Sequence, residues 1–494
     1  MQRIFNRLGL WLLGAVVVPV YQYWGNYPQI RWMDTVLVVA VLSVAVLLVG
    51  GLLRLLVRDA SIRLLLAYGF WSTFWFLRPI LHALKYSSDW TLRLYDWCYD
   101  FRYGFAGTLF LLLLLLVWWV LRRRRRWIAP INAVLGISFC AVTVLLLVQT
   151  VQRMWEYRLA EGKLGALGAA DGTLPNIYHI LLDAHPNLEG ARQLGYDLQP
   201  FYNALSDLGF ITFPHSRSNY PQTHWSVSSM LTMDYLPKEL IPNTPAANRE
   251  HFRLAQNPPV WQTLRAHGYT LSIQVSHDMC APFYPRALLR PNATGSFLCA
   301  CIVALEMTPI DLYTWFRPLY CRAFRSKFQA MLQSLCDLHL KTPFVHYLHI
   351  VCPHPPFIFA EGARYKFPDL LANNGLPPEQ LPSARANIAG IDALVLPILQ
   401  QIIEKEKNPI IVLHSDHGIF QCTFPLIEKF YNIEGYYGNL LALYIPDAWK
   451  SDAKNLHFIN LYRFLFNHLF DSNLPYHNEN AQKITLEEYL KYGK

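Results

Sequence analysis

Ile410-Ile411-Val412-Leu413-His414-Ser415-Asp416-His417-Gly418 is the stretch on which the reading of this chain turns. Its first four residues are apolar and three of them are β-branched, the composition of a central strand covered on both faces. The run then breaks off into an Asp-His pair, and Gly418 frees the backbone to turn sharply just beyond it. A buried strand therefore delivers two metal-ligand types at its C-terminal end, the edge at which ligands collect in open α/β sheets. An Asp oxygen beside a His nitrogen suits a borderline cation such as zinc or manganese. Taken alone, the same letters also describe a strand end closed by an Asx turn, so the rest of the chain has to decide.

Composition divides the chain. With 494 residues and 53% hydrophobic content, it is too apolar for one ordinary soluble domain and too polar to lie in a membrane throughout, which predicts a membrane part and a soluble part. Apolar runs at 8–24, 34–57, 61–84, 103–121 and 128–151 each carry the length, ~20 residues, that a helix needs to cross a bilayer. Five spans are therefore expected. Arg3 and Arg7 precede the first, but no small-residue cleavage site follows it, so it reads as a retained span rather than a signal peptide. Arg3 and Arg7, then Arg54, Arg58 and Arg63, then the arginines at 122–126 all fall on one side, which the positive-inside rule makes cytoplasmic. Everything after about residue 152 is then expected outside. The same arginines account for a net charge of +9 without any nucleic-acid partner. Arg78, inside the third span next to Pro79, reads as a side chain snorkelling to the interface or touching a lipid headgroup.

The expected domains are a five-helix transmembrane bundle at 1–152, a linker at 153–174 that is rich in Gly and Ala, and an extracytoplasmic α/β domain at 175–494. In the last of these, strand patterns at 176–183, 270–275, 344–351, 409–415 and 440–445 alternate with helix patterns at 198–208, 223–231, 260–267 and 383–404. Such alternation predicts a mainly parallel sheet sandwiched by helices. Of the nine cysteines none has zinc-knuckle spacing. Outside the cytoplasm, Cys280 with Cys299 or Cys301, and Cys321 with Cys336, are candidate disulfides.

Three other segments carry chemistry. The strand Asn176-Ile177-Tyr178-His179-Ile180-Leu181-Leu182 ends in Asp183, so two strands of one sheet present acids at the same edge, although a lone Asp there also serves as a turn or cap residue. Ser218-Asn219-Tyr220-Pro221-Gln222-Thr223-His224-Trp225-Ser226-Val227-Ser228-Ser229-Met230 passes from a turn into a hydroxyl-rich helix. Thr223 at the helix start is either a cap or a nucleophile, because the unpaired N–H groups and the helix dipole there favour developing negative charge. Cys352-Pro353-His354-Pro355-Pro356-Phe357 follows a third strand and holds His354 between prolines, as a structural turn or as an aimed imidazole.

Acid, hydroxyl at a helix start, His-Pro loop, then Ser-Asp-His-Gly: this order resembles the alkaline phosphatase superfamily in its sulfatase-like branch. With five spans it looks like the phosphoethanolamine transferases and lipoteichoic acid synthases of bacterial envelopes. The resemblance implies Thr223 as the nucleophile, Asp183, Asp416 and His417 with Thr223 as ligands of one divalent metal, zinc or manganese, and His354 as a contact to the phosphoryl or leaving group. It further implies Asn219 as a hydrogen-bond donor to a phosphoryl oxygen. A phospholipid donor, an envelope glycolipid or glycan acceptor and a place in the bacterial inner membrane, with the catalytic domain periplasmic or extracytoplasmic, follow from the same likeness. Asp183 stands where the phosphoethanolamine transferases usually carry Glu, Ile419 and Phe420 stand where an acid is usual, and the histidine expected about a dozen residues later is missing, His457 being the next. These departures leave a second metal position and the acceptor open. The sulfatase signature C-x-P-x-R begins at Cys280-Ala281-Pro282-Phe283 and breaks at Tyr284. A phosphodiesterase or phosphatase in which water replaces the acceptor uses the same residues, and a catalytically silent membrane scaffold is the reading from a different class.

Overall fold

A computed structural model of the chain describes residues 11–25, 32–85, 112, 125–163, 174–241, 245–276, 284–285, 288–289, 301, 317–360, 381–419 and 433–478. The chain divides into two compact units, Met1–Glu156 with Gly295–Ala323, and Tyr157–Thr294 with Phe324–Lys494.

The first unit is helical. A π-helical turn Leu12–Val17 leads into α1 (Val18–Gly25), followed by α2 (Trp32–Leu56), α3 (Ala60–Lys85) and α4 (Ile128–Lys163). Its small core joins Val38 and Leu42 to Tyr68, Trp71, Trp75 and Phe139. Trp75 Nε1 donates to the Gly14 carbonyl at 3.3 Å, and Asn132 Nδ2 to the Ser61 carbonyl at 2.7 Å, so the indole and the amide satisfy backbone groups inside the bundle. Large apolar side chains such as Leu47, Leu55, Val134 and Ile137 face outward, as they must where lipid replaces water. Helices thus lie at four of the five expected spans, and the fourth span, at 103–121, falls outside the described residues apart from Leu112. Among the described residues only Met33–Leu56 and Ile128–Gln152 of this unit are long and apolar enough to cross a membrane, while the apolar part of α3 is Ala60–Trp71.

The second unit is built on a six-stranded sheet in the order β2-β6-β5-β1-β4-β3, with β1 (Ile177–Leu182), β2 (Ile211–Thr212), β3 (Thr270–Val275), β4 (Phe344–Ile350), β5 (Ile410–His414) and β6 (Leu441–Tyr444). The four strands β3, β4, β1 and β5 are mutually parallel, and β6 turns the sheet mixed by pairing antiparallel with β5 and β2. Its helices are α5 (Leu188–Gln193), α6 (Gln199–Asp207), α7 (Thr223–Thr232), α8 (Pro245–Gln256), α9 (Pro259–Ala266), α10 (Arg317–Ser334), α11 (Leu381–Lys405), α12 (Ile433–Tyr437), α13 (Asp447–Ala453) and α14 (Leu461–Phe470). On one sheet face Ile177, Leu181, Tyr347, Val412 and Leu443 pack with Val227 and Met230 of α7, Trp261 of α9 and Phe464 of α14. The alternation of these positions along each strand puts every second residue on that face.

Helix α11 is also long and apolar enough to cross a membrane. It instead carries a buried stripe through Ala384, Asn387, Ile391, Asp392, Val395 and Ile402, at the spacing of one helix face. Asn387 donates to the Pro353 carbonyl at 3.0 Å and Asp392 accepts from His185 at 2.8 Å, bonds made inside this unit. The expected Cys321–Cys336 disulfide is not formed: both cysteines are buried and neither is in a disulfide. Cys321 lies near the start of α10 and Cys336 just past its end, and a helix that long holds them roughly 20 Å apart at 1.5 Å per residue, against the 4.4–6.8 Å a disulfide needs. Cys301 is also free, whereas Cys280 and Cys299 lie outside the described residues.

Candidate metal centre

The register of the two central strands assembles the site. Leu181 of β1 pairs with His414 of β5, so two residues further on Asp183 comes level with Asp416. Ala184 then takes a left-handed conformation, φ 63°, which costs an alanine about 1 kcal/mol. That turn brings the Ala184 N–H to 3.2 Å from Asp416 Oδ1. One oxygen of Asp416 is thereby satisfied by backbone. One oxygen of Asp183 is satisfied by a side chain, since His349 Nε2 at the end of β4 lies 3.2 Å from Oδ2.

The remaining oxygens, Asp183 Oδ1 and Asp416 Oδ2, are buried and have no hydrogen-bond partner. Both face one nitrogen: His417 Nε2 is 3.6 Å from Asp183 Oδ1 and 3.4 Å from Asp416 Oδ2. His417 Nδ1 donates to the Gly418 carbonyl at 2.9 Å, which leaves the lone pair on Nε2. These ligand atoms lie within 4.8 Å of one another, and the three side chains are at most 3% exposed. Orphaned carboxylate oxygens in a protein interior are costly unless a cation satisfies them. Two carboxylates and an imidazole that converge in this way fit a divalent metal.

Electrostatics agree. Burial pushes the Asp183 carboxyl up, but His354, the hydrogen bond from His349 and the neighbouring His417 outweigh it and bring it down to about 2. Burial and the neighbouring Asp183 raise Asp416, against weaker pulls from His417, His349 and Thr223. Two acids so close do not both carry charge comfortably without a cation between them.

Thr223 opens α7. The N-cap is Gln222, which makes no side-chain cap bond, and Thr223 is the first helical residue. Its Oγ1 lies 3.1 Å from His417 Nε2, so the hydroxyl faces the ligand cluster rather than capping the helix. It is half-buried, reachable from outside, and sits where the helix dipole favours negative charge.

His354 is drawn in through the backbone: its N–H donates to the Asp183 carbonyl at 3.0 Å, and its Nδ1 donates to the Pro355 carbonyl at 2.6 Å. Asn219 is engaged elsewhere. Its Nδ2 donates to Ser229 Oγ at 3.0 Å, the residue is 1% exposed, and among the described residues it makes no contact with the ligand atoms. The structure therefore brings Asp183, Thr223, Asp416 and His417 together, ties His354 to Asp183 through its backbone, and engages Asn219 with Ser229. His349 escaped the sequence reading because it lies inside the strand pattern of β4, where it is one of two histidines, with His346. Its signal was its face: positions 345, 347 and 349 share the side of the sheet that α7 covers.

No family model matches the chain, and no curated protein sequence does. Among solved structures it is similar to a sulfatase from Bacteroides fragilis, with TM-score 0.39, 19% identity, and 67% of this chain and 81% of that one covered. It is similar to the C-terminal periplasmic domain of EptC from Escherichia coli in complex with Zn, with TM-score 0.39, 13% identity, and 65% of this chain and 92% of that one covered. A third is the integral membrane lipooligosaccharide phosphoethanolamine transferase A from Neisseria meningitidis, with TM-score 0.35, 12% identity, and 94% of this chain and 95% of that one covered. These neighbours are sulfatases and phosphoethanolamine transferases, the groups that the motifs resemble.

Proposed function

We propose that the chain is a membrane-bound, metal-dependent transferase that moves a phospho-alcohol head group, of the phosphoethanolamine or glycerophosphate type, from a phospholipid to an envelope glycolipid or glycan through a Thr223-linked intermediate. The observation that carries the reading is the Thr223 hydroxyl, at a helix N-terminus, 3.1 Å from the histidine on which two orphaned carboxylate oxygens converge. Residues 1–152 form the membrane domain, 153–174 the linker and 175–494 the catalytic domain, held outside a bacterial inner membrane.

Asp183, Asp416, His417 and Thr223 would hold one divalent ion, zinc or manganese. Such an ion supplies positive charge to a phosphoryl oxygen and lowers the pKa of a bound hydroxyl. Thr223 Oγ1 would attack phosphorus with loss of its proton to solvent, as the bond from phosphorus to the glycerol oxygen breaks, and a protonated His354 would give the departing oxygen a proton from Nε2. The N-terminal end of α7, whose dipole favours negative charge, would support the same developing charge. Asn219, which donates one amide proton to Ser229, would offer its second to a phosphoryl oxygen. The acceptor hydroxyl or amine then displaces Thr223 and regenerates it.

Purified protein in detergent is incubated with labelled phosphatidylethanolamine or phosphatidylglycerol and examined by intact mass and peptide mapping. An adduct on Thr223, missing from Thr223→Ala, is the expected result, and its mass names the head group. Release of a free phospho-alcohol at the wild-type rate from Thr223→Ala would sink the covalent route and leave direct hydrolysis.

A further inference from the structure

We infer that His349, oriented by Tyr284, is the positioning residue that aims Asp183 at the cation, an inference that rests on the metal centre proposed above. A carboxylate can present either oxygen, and a short Asp reaching from the end of a strand presents one reliably only if the other is held. His349 Nε2 does this from 3.2 Å away on Asp183 Oδ2, and His349 is 0% exposed. An ionised carboxylate only accepts, so the proton of the neutral ring sits on Nε2. Nδ1 must then accept, and the Tyr284 hydroxyl, 2.9 Å away, donates into it. Tyr284 is itself 0% exposed, and its hydroxyl lies 3.3 Å from that of Tyr347.

Backbone fixes the base of this arrangement. His349 pairs with Leu181 on one side and Val275 on the other, and its carbonyl accepts from the Ser276 N–H at 2.9 Å. A histidine that spends Nε2–H on Oδ2 has no lone pair there to offer a metal. It acts through Asp183, as outer-shell partners of metal ligands do.

The test uses the full chain in detergent, stripped with a chelator. Zinc affinity is measured by competition with a chromogenic chelator, and the visible spectrum of the cobalt(II)-loaded protein reports ligand geometry. Asp183→Asn tests the metal centre and is expected to lose tight binding. His349→Leu is expected to weaken zinc by about 10–100-fold, the usual effect of removing such a partner. His349→Gln, whose amide nitrogen falls near the place of Nε2 and still donates to Oδ2, is expected to stay within a few-fold of wild type with an unchanged cobalt spectrum. Tyr284→Phe keeps ring and volume, and is expected to weaken zinc in the same direction but less. Should His349→Leu fail to fold, Gln and Phe carry the comparison. Wild-type affinity in His349→Leu and Tyr284→Phe, with Asp183→Asn impaired, overturns the inference and leaves the centre standing. So does a loss in His349→Gln as complete as in Asp183→Asn with a changed cobalt spectrum, which would make His349 a ligand. Wild-type zinc binding in Asp183→Asn overturns the centre itself.

Discussion

Replacing Asp416 with Asn should stabilise the metal-free protein and abolish its response to zinc. In the structure Asp416 Oδ1 accepts from the Ala184 N–H, a bond the amide oxygen of Asn keeps. The amide nitrogen then takes the place of Oδ2, in the cluster of atoms within 4.8 Å that also includes Asp183 with its orphaned Oδ1. One substitution removes a buried like-charge contact and supplies a donor to a carboxylate, a hydrogen bond worth about 1.5–3 kcal/mol. Against that, wild type gains what the ion provides: zinc at 100 times its Kd contributes about 2.7 kcal/mol. At roughly 2 °C per kcal/mol for a domain of this size, wild type should rise by about 5 °C on adding zinc and Asp416→Asn by almost nothing. The two midpoints should cross, with Asp416→Asn the more stable after chelation and wild type the more stable with zinc. Thermal unfolding of detergent-solubilised protein, with chelator and with zinc, reads both. A chelated Asp416→Asn protein that melts below chelated wild type, and is still raised by zinc as much as wild type is, would refute the idea that these two acids await a cation.

Further outcomes follow from single contacts. His354→Ala should cut head-group transfer by about 10²–10⁴-fold, the range for a general acid, while zinc affinity by chelator competition stays within a few-fold. Gly418→Ala should loosen the site, because its Cβ would stand 2.4 Å from the Gly435 carbonyl oxygen; overpacking of this kind costs about 1–3 kcal/mol, read as a lower midpoint with weaker zinc binding. Stability should also fall in acid through the buried chain in which Tyr462 donates to His179 Nδ1, His179 Nε2 donates to His414 Nε2 and His414 Nδ1 donates to the Ser415 carbonyl. Burial, then the neighbouring His414, holds the folded pKa of His179 well below 6.5. Its contribution is therefore whole above about pH 6.5 and shrinks below it by roughly 1 kcal/mol per pH unit. His179→Gln should flatten the dependence of the unfolding midpoint between pH 6.5 and 4.5, and an unchanged slope would refute this.

Much of the centre was legible because its ligands sit at strand ends, where apolar runs stop abruptly at Asp183 and at Asp416. Period and composition locate such ends to within a residue or two: β1, β4 and β5 differ from the expected strands by at most one residue at each end. Which oxygens would be left unsatisfied was not legible, since that depends on the pairing of Leu181 with His414 and on the left-handed turn at Ala184. Polar residues inside apolar strands were not legible either. His179, His349 and His414 read as core positions in one dimension, and only the sheet brings them to one face. Helix α11 shows the opposite limit. Its apolar length qualifies it for a membrane, and its tertiary partners at Asn387 and Asp392 pack it into the sheet-containing unit.

The proposed ligands Asp183 and Asp416 follow neighbouring strands whose pairing must be correct before they meet. A slip of β5 by one residue would send Asp416 to the other side of the sheet. Ion capture at the proposed centre would thus be a proofreading step for the fold: only a chain with β1 and β5 in register would acquire a metal. During biogenesis, metal loading would then mark the moment at which the catalytic domain has finished folding.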